Sequence, residues 1–297
     1  MLRVEAVGAL CQRAGMPTEA LSVRRSESVT LAGERRGRRG APAVVLLHAN
    51  VADRRAWHGV LDALEGDDLD LIAYDRRGFG GTPAGEEEFT DLDDLLAVID
   101  AAGVERAIVV GNSHGGSIAL DAAARVPERI AGVLHLAGGA SGMTDEGEAI
   151  RWEADPDTDR VYGALQRAGA AGDVDEQVRL LLHLWLDGPA QPEGRVQGAA
   201  RDLVADMNRR IIAWGRPDDA GDAGLDVWHE LGAVRVPVTV AWGSFDVPAD
   251  LPFFELIAAR IPGARRHVID GVAHLPGLER PDLVAELVRE QVQAAAG

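Results

Sequence analysis

Short apolar runs and longer amphipathic stretches alternate along this chain. Residues 44–47, 69–74, 107–110, 130–136 and 236–242 are nearly uninterrupted apolar runs of strand length. That is the pattern of parallel strands covered on both faces. Between them, residues 56–64, 89–101, 251–260 and 281–294 carry apolar side chains at helical spacing. Residues 21–34 alternate more loosely and predict one or two edge strands, and 266–269 predicts a last short strand. Strand and helix in repeated alternation predict a mostly parallel twisted sheet with helices on both faces. The hexapeptide Arg35-Arg36-Gly37-Arg38-Arg39-Gly40 predicts a solvated basic turn.

The rhythm breaks between residues 141 and 230. No convincing strand occurs there, and helical patterns fall at 150–153, 161–168, 174–185 and 198–214. Four of the six tryptophans lie in this stretch, Trp152, Trp185, Trp214 and Trp228. The expected organisation is an N-terminal extension (1–20), an α/β core (21–140 and 231–297) and a helical insertion (141–230) over one end of the sheet. The extension reads as a short amphipathic helix ending near Pro17.

Composition narrows the function. The 297 residues carry a net charge of −18, which disfavours nucleic acid and anionic membrane surfaces as partners. Every fixed side-chain cation is an arginine, so lysine-based chemistry is excluded. Cys11 is the one cysteine, which rules out an intrachain disulfide and cysteine-based metal sites. No signal-peptide pattern and no apolar run of about 18 residues occur, so a cytoplasmic protein with no membrane partner is expected. A monomer or homodimer is the expected assembly.

The chemistry centres on Gly111-Asn112-Ser113-His114-Gly115, which fits the G-x-S-x-G turn that lifts a serine to the apex between a strand and a helix. The motif alone is common enough to arise by chance, so its context carries the argument: an apolar run precedes it and a helical pattern follows. Serine needs a base, and the base needs an orienting acid. Asp246 lies just past the apolar run 236–242, and His274 lies in the turn after the last strand. Both positions are carboxyl ends of strands, where α/β sheets collect their chemistry. Asp246 could instead cap the helix that follows it, and Asp270 is a rival acid better suited to a turn. Of the eight histidines, only His274 is both late in the chain and in a strand-end turn. The expected oxyanion donors are the backbone N–H groups of His114 and of Asn50, in the loop after the first buried strand.

These segments together resemble the α/β-hydrolase fold family: Leu46-Leu47-His48-Ala49-Asn50, Tyr74-Asp75-Arg76-Arg77-Gly78-Phe79-Gly80, Gly111 to Gly116, Trp242-Gly243-Ser244-Phe245-Asp246 and Gly271-Val272-Ala273-His274. The resemblance runs from about residue 22 to 295 apart from the insertion, which is similar to the family's helical cap. One loop departs from it, reading His48-Ala49 where the family has His-Gly. The resemblance implies a Ser113–His274–Asp246 triad working without metal or organic cofactor on a small-molecule ester or lactone, with Trp185 and Trp214 walling an apolar substrate pocket. Serine at position 113 sets aside the aspartate-nucleophile members. Two alternatives stay open. One is carbon–carbon hydrolysis of a ring-cleavage product, suggested by Asn112 and by cap arginines such as Arg195, Arg201, Arg209 and Arg210. The other is a ligand-binding protein with vestigial turnover on the same fold.

Overall fold

A computed structural model describes residues 18–143, 155–216 and 220–297. The N-terminal extension up to Pro17, the expected helix at 150–153 and Trp152 lie outside the described residues.

Eight strands form one sheet in the order β1-β2-β4-β3-β5-β6-β7-β8. β1 (Glu19–Arg24) and β2 (Thr30–Gly37) are antiparallel edge strands, and β2 runs antiparallel to β4 (Asp70–Tyr74). From β4 onward all neighbours are parallel: β3 (Ala43–Leu47), β5 (Ala107–Asn112), β6 (Ile130–Leu136), β7 (Val238–Gly243) and β8 (Arg265–Ile269).

The continuous apolar runs are explained by burial on both faces. Val45, Leu47, Ile72, Val109, Val133 and Val240 turn to one side, against α2 (Asp91–Ala101), α3 (His114–Arg125) and α7 (Leu251–Arg260). Val44, Leu46, Leu71, Ile108, Val110 and Leu134 turn to the other, against α1 (His58–Ala63) and, beyond the short α8 (Pro276–Glu279), α9 (Pro281–Ala296). Each side chain alternates across the pleat, so both helical layers rest on branched aliphatics.

Over the carboxyl ends of the strands lie α4 (Pro156–Ala171), α5 (Val174–Leu182) and α6 (Ala199–Trp214). Asp155 caps α4 by accepting from the N–H groups of Asp157 and Thr158, and Asp173 caps α5 by accepting from Glu176 N–H. After α5 the chain makes a π-turn, His183–Asp187, which carries Trp185. Apolar contact joins this layer to the core. Val178, Leu182, Leu186, Val204 and Met207 pack on Ala49, Ala52, Ala56 and Leu275.

Two expectations change. Only the second half of the basic hexapeptide, Arg38 to Gly40, is a solvated turn: β2 continues to Gly37, Arg35 is buried, and its guanidinium donates to both oxygens of Asp70 at 2.7 and 2.5 Å. Arg36 pairs with Glu34 and Asp62. Trp228, within the stretch expected to form the insertion, is fully buried beside Phe253 and belongs to the main core.

Candidate active site

β5 ends at Asn112 and α3 opens at His114, leaving Ser113 alone at the reversal with φ 56° and ψ −124°. A positive φ on a residue with a Cβ is a strained conformation, held by its surroundings. The clamps are visible: Ser113 N–H donates to Leu136 O at 2.8 Å, and Ser113 O accepts from Gly116 N–H at 2.8 Å. The flanking glycines are sterically required. A Cβ on Gly111 would stand 2.0 Å from Gly115 O, and one on Gly115 would stand 2.5 Å from Leu47 O. The helix N-terminus therefore sits hard against the end of β3, beside the loop that carries Asn50. Of the first N–H groups of this helix, which have no acceptor within the helix, those of Gly116 and Ser117 are taken up by Ser113 O.

Asp246 and His274 come from the neighbouring strand ends. The loops after β7 and β8 are tied by Ser244 N–H to Ile269 O and Phe245 N–H to Val272 O, both 2.9 Å. Both side chains are buried, and His274 Nδ1 lies 3.0 Å from each carboxylate oxygen of Asp246. Burial alone would favour neutral imidazole, but the charge and hydrogen bond of Asp246 outweigh it and raise the His274 pKa above its usual value. Asp246 does not cap α7, whose N-cap is Asp250; its carboxylate accepts instead from Val247 N–H at 2.8 Å. Asp270 is occupied elsewhere, accepting from Ser244 Oγ at 3.1 Å.

Asn112, beside the serine, faces inward. Its amide donates to Leu136 O at 3.1 Å and to His274 O at 3.0 Å, so it anchors the histidine loop. Trp185 lies on His274 with ring centroids 4.5 Å apart, and its carbonyl accepts from His274 N–H at 3.2 Å. Trp214 is placed differently, 46 % exposed at the C-terminal end of α6.

The loop holding Asn50 is fixed from below and above. His48 is fully buried, and both its burial and the charge of Arg76 push its pKa down to about 3. The neutral ring accepts from Arg76 N–H at Nε2 (3.1 Å) and donates from Nδ1 to Ala49 O (2.8 Å). Asn50 Oδ1 accepts from Arg76 Nη2 at 2.6 Å. From α6, Asn208 donates to Val51 O at 3.0 Å, and Met207 Sδ accepts from Asp53 N–H at 3.3 Å.

The four arginines singled out in this stretch are engaged. Arg195 pairs with Glu279 and donates to Gly271 O, Arg201 pairs with Asp187, Arg209 with Asp175, and Arg210 with Asp206. Among the described residues no cluster of three or more His, Cys, Asp or Glu could hold a metal ion, and no helix is long and apolar enough to cross a membrane.

Comparison with known proteins adds the family. A model of the alpha/beta hydrolase fold matches residues 42–281. The chain is 29 % identical over 260 residues to the pimeloyl-[acyl-carrier protein] methyl ester esterase of Aromatoleum aromaticum, covering 85 % of this chain and 98 % of that protein. It is 26 % identical over 266 residues to a 2-hydroxy-6-oxononadienedioate/2-hydroxy-6-oxononatrienedioate hydrolase of Burkholderia vietnamiensis, covering 84 % of this chain and 87 % of that protein. The solved enol-lactonase of Burkholderia xenovorans shares the fold, with a TM-score of 0.67 and 23 % identity over 93 % of this chain and 100 % of that one.

Proposed function

Because this chain belongs to the alpha/beta hydrolase fold family, we propose that it is a serine hydrolase cleaving a carboxylic ester or lactone through an acyl-enzyme. The observation that carries the reading is the buried His274–Asp246 pair, 3.0 Å apart, after β7 and β8 at the same end of the sheet as the strained Ser113 turn after β5. In this mechanism Ser113 Oγ attacks the carbonyl carbon while His274 Nε2 takes its proton. Asp246 holds the Nδ1–H and stabilises the imidazolium that forms. The N–H groups of Asn50 and His114 receive the oxyanion, each such donor contributing about 3 kcal/mol in the transition state. Collapse expels the alcohol, which leaves with the His274 proton, or opens the lactone ring. Water deprotonated by His274 then attacks the acyl-enzyme and restores Ser113.

The helices α4 to α6 act as the cap, and Trp185, resting on His274, lines the substrate side of the base. Trp214, exposed at the far end of α6, is left without a part in this assignment. The relative that names a methyl ester esterase supports the ester reading.

A fluorophosphonate probe tests the proposal: it should label Ser113 and fail on Ser113→Ala, with p-nitrophenyl acetate turnover lost in the same variant. Full turnover in Ser113→Ala rejects it. The relative that names a ring-cleavage hydrolase favours a second reading, carbon–carbon hydrolysis at the same serine. Against it, Asn112 is committed to backbone carbonyls, and the cap arginines are paired with carboxylates of their own. Decay of a coloured ring-cleavage product in the presence of the enzyme would favour it over ester hydrolysis.

A further inference from the structure

The two backbone groups assigned above as oxyanion donors belong to residues whose side chains are joined through one buried ionic chain. Asn50 follows β3, which lies between β4 and β5 in the sheet. Arg76 follows β4 on one side, and His114 follows β5 on the other. Arg76 is fully buried and donates from Nη2 to Asn50 Oδ1 (2.6 Å) and from Nη1 to Asp91 Oδ2 (3.2 Å). Asp91, the buried first residue of α2, takes a second contact at the same oxygen from His114 Nε2 (3.3 Å) and a third from Arg216 Nη2 (3.0 Å). Arg76 and Arg216 both lie over the Phe79 ring, at 4.7 and 4.9 Å.

We propose that Arg76 and Asp91 are positioning residues that cross-brace the oxyanion hole, fixing Asn50 relative to His114 through the path Asn50–Arg76–Asp91–His114. The idea rests on the serine-hydrolase reading and extends it to groups that never touch substrate. The physical case is one of rigidity. An oxyanion donor acts by being already aimed, and an ångström of misplacement can cost about a hundredfold. Two loops from different strand ends have no backbone hydrogen bond linking Asn50 to His114 in the described ladder; the ionic chain supplies that link. The cluster also carries charge of the useful sign. Arg76 and Arg216 bring two positive charges against the single negative charge of Asp91, because burial holds His114 below its usual pKa despite that carboxylate.

Arg76→Met would take a buried cation from Asp91 and Asn50 at once and risks unfolding, so the test cuts the ends of the brace. Asn50→Ala and His114→Ala each remove one side-chain contact and keep the backbone N–H; both sites are half-buried and tolerate truncation. With p-nitrophenyl acetate, each single variant should lose about tenfold in kcat with KM within twofold. The double variant should lose little more than either single, because a brace cut once is already slack. His114→Gln, which can still donate to Asp91, should recover most of the rate. The preference for p-nitrophenyl acetate over its thionoester should fall in both alanine variants, since sulfur is a poor acceptor and the preference reports hole geometry. Losses that multiply to about a hundredfold, or an unchanged oxygen-over-sulfur preference, overturn the brace. In parallel, Ser113→Ala separates the two ideas. If it is inactive while the cycle multiplies, only the brace fails; if it is active, the serine mechanism and the brace fall together.

Discussion

Asp246→Asn tests the base through its partner. The carboxylate is buried and places both oxygens 3.0 Å from His274 Nδ1. In the proposed mechanism, attack by Ser113 makes His274 an imidazolium facing that negative charge. At about 4 Å between charge centres and an effective dielectric near 20, the attraction is about 4 kcal/mol. Losing it slows acylation by about a thousandfold, and an amide that turns its NH2 toward Nδ1 would also favour the wrong tautomer. The pH profile should move with it. In the wild type burial opposes the charged imidazole, yet Asp246 raises the His274 pKa, so the acid limb of kcat/KM lies above the usual histidine value. With the carboxylate gone, burial is opposed only by the smaller effect of Asp250, and the limb moves to lower pH. The linked stability has a definite sign. A raised histidine pKa stabilises the fold fully below the unfolded value of about 6.5, and that contribution is lost as pH rises through the folded pKa. The variant should lack this component. Initial rates on p-nitrophenyl acetate from pH 5 to 9, with urea unfolding at both ends, measure all three effects. A rate loss under about tenfold, or an acid limb that stays or moves upward, refutes the assignment of Asp246.

Two further predictions concern the frame around the site. Ser113→Gly should abolish turnover and raise Tm by about 2 °C, because glycine occupies φ 56° without the strain of roughly 1 kcal/mol or more that serine carries. A lower Tm by circular dichroism would show that the turn is unstrained. Arg35→Met removes the partner of the fully buried Asp70 at the opposite end of the sheet and should cost about 3–5 kcal/mol, roughly 10 °C in Tm, with kcat at 25 °C unchanged. A Tm within about 2 °C of wild type would mean that the pair contributes nothing net.

What was legible in the sequence follows from how local each signal is. The central parallel strands could be read because burial on both faces writes a nearly continuous apolar run into each of them, while β8, at the edge, is largely exposed. Ser113 and Asp246 are proposed from the sequence because each lies just past such a run, and His274 because it is the late histidine in a strand-end turn. Arg35 could not be placed. Four arginines around two glycines look like a solvated turn, and only the tertiary position of Asp70 reveals a buried pair. Trp228 was counted with the insertion because no strand separates it from the cap helices; its burial beside Phe253 depends on α7. Arg76 and Asp91 read as a turn residue and a helix start. Their pairing joins the end of β4 to the start of α2 and leaves no periodic trace. Asn112 looked like a substrate-side variation of the serine motif, while its amide is spent on two backbone carbonyls.

The cap shows the same limit in another form. Its ties to the site run largely to main-chain atoms: Asn208 to Val51 O, Arg195 to Gly271 O, and Trp185 O to His274 N–H. A backbone acceptor is present at every residue, so such a tie constrains one side chain and leaves its partner free to vary. The cap is therefore hard to read in the sequence while being firmly seated on the loops of Asn50 and His274. Apolar packing reinforces the seat, with Met207 and Val204 resting on Ala49 and Ala52 next to Asn50. If the proposed mechanism holds, a residue of α5 or α6 that touches no substrate still bears on the rate, since these helices are tied to the loops of Asn50 and His274.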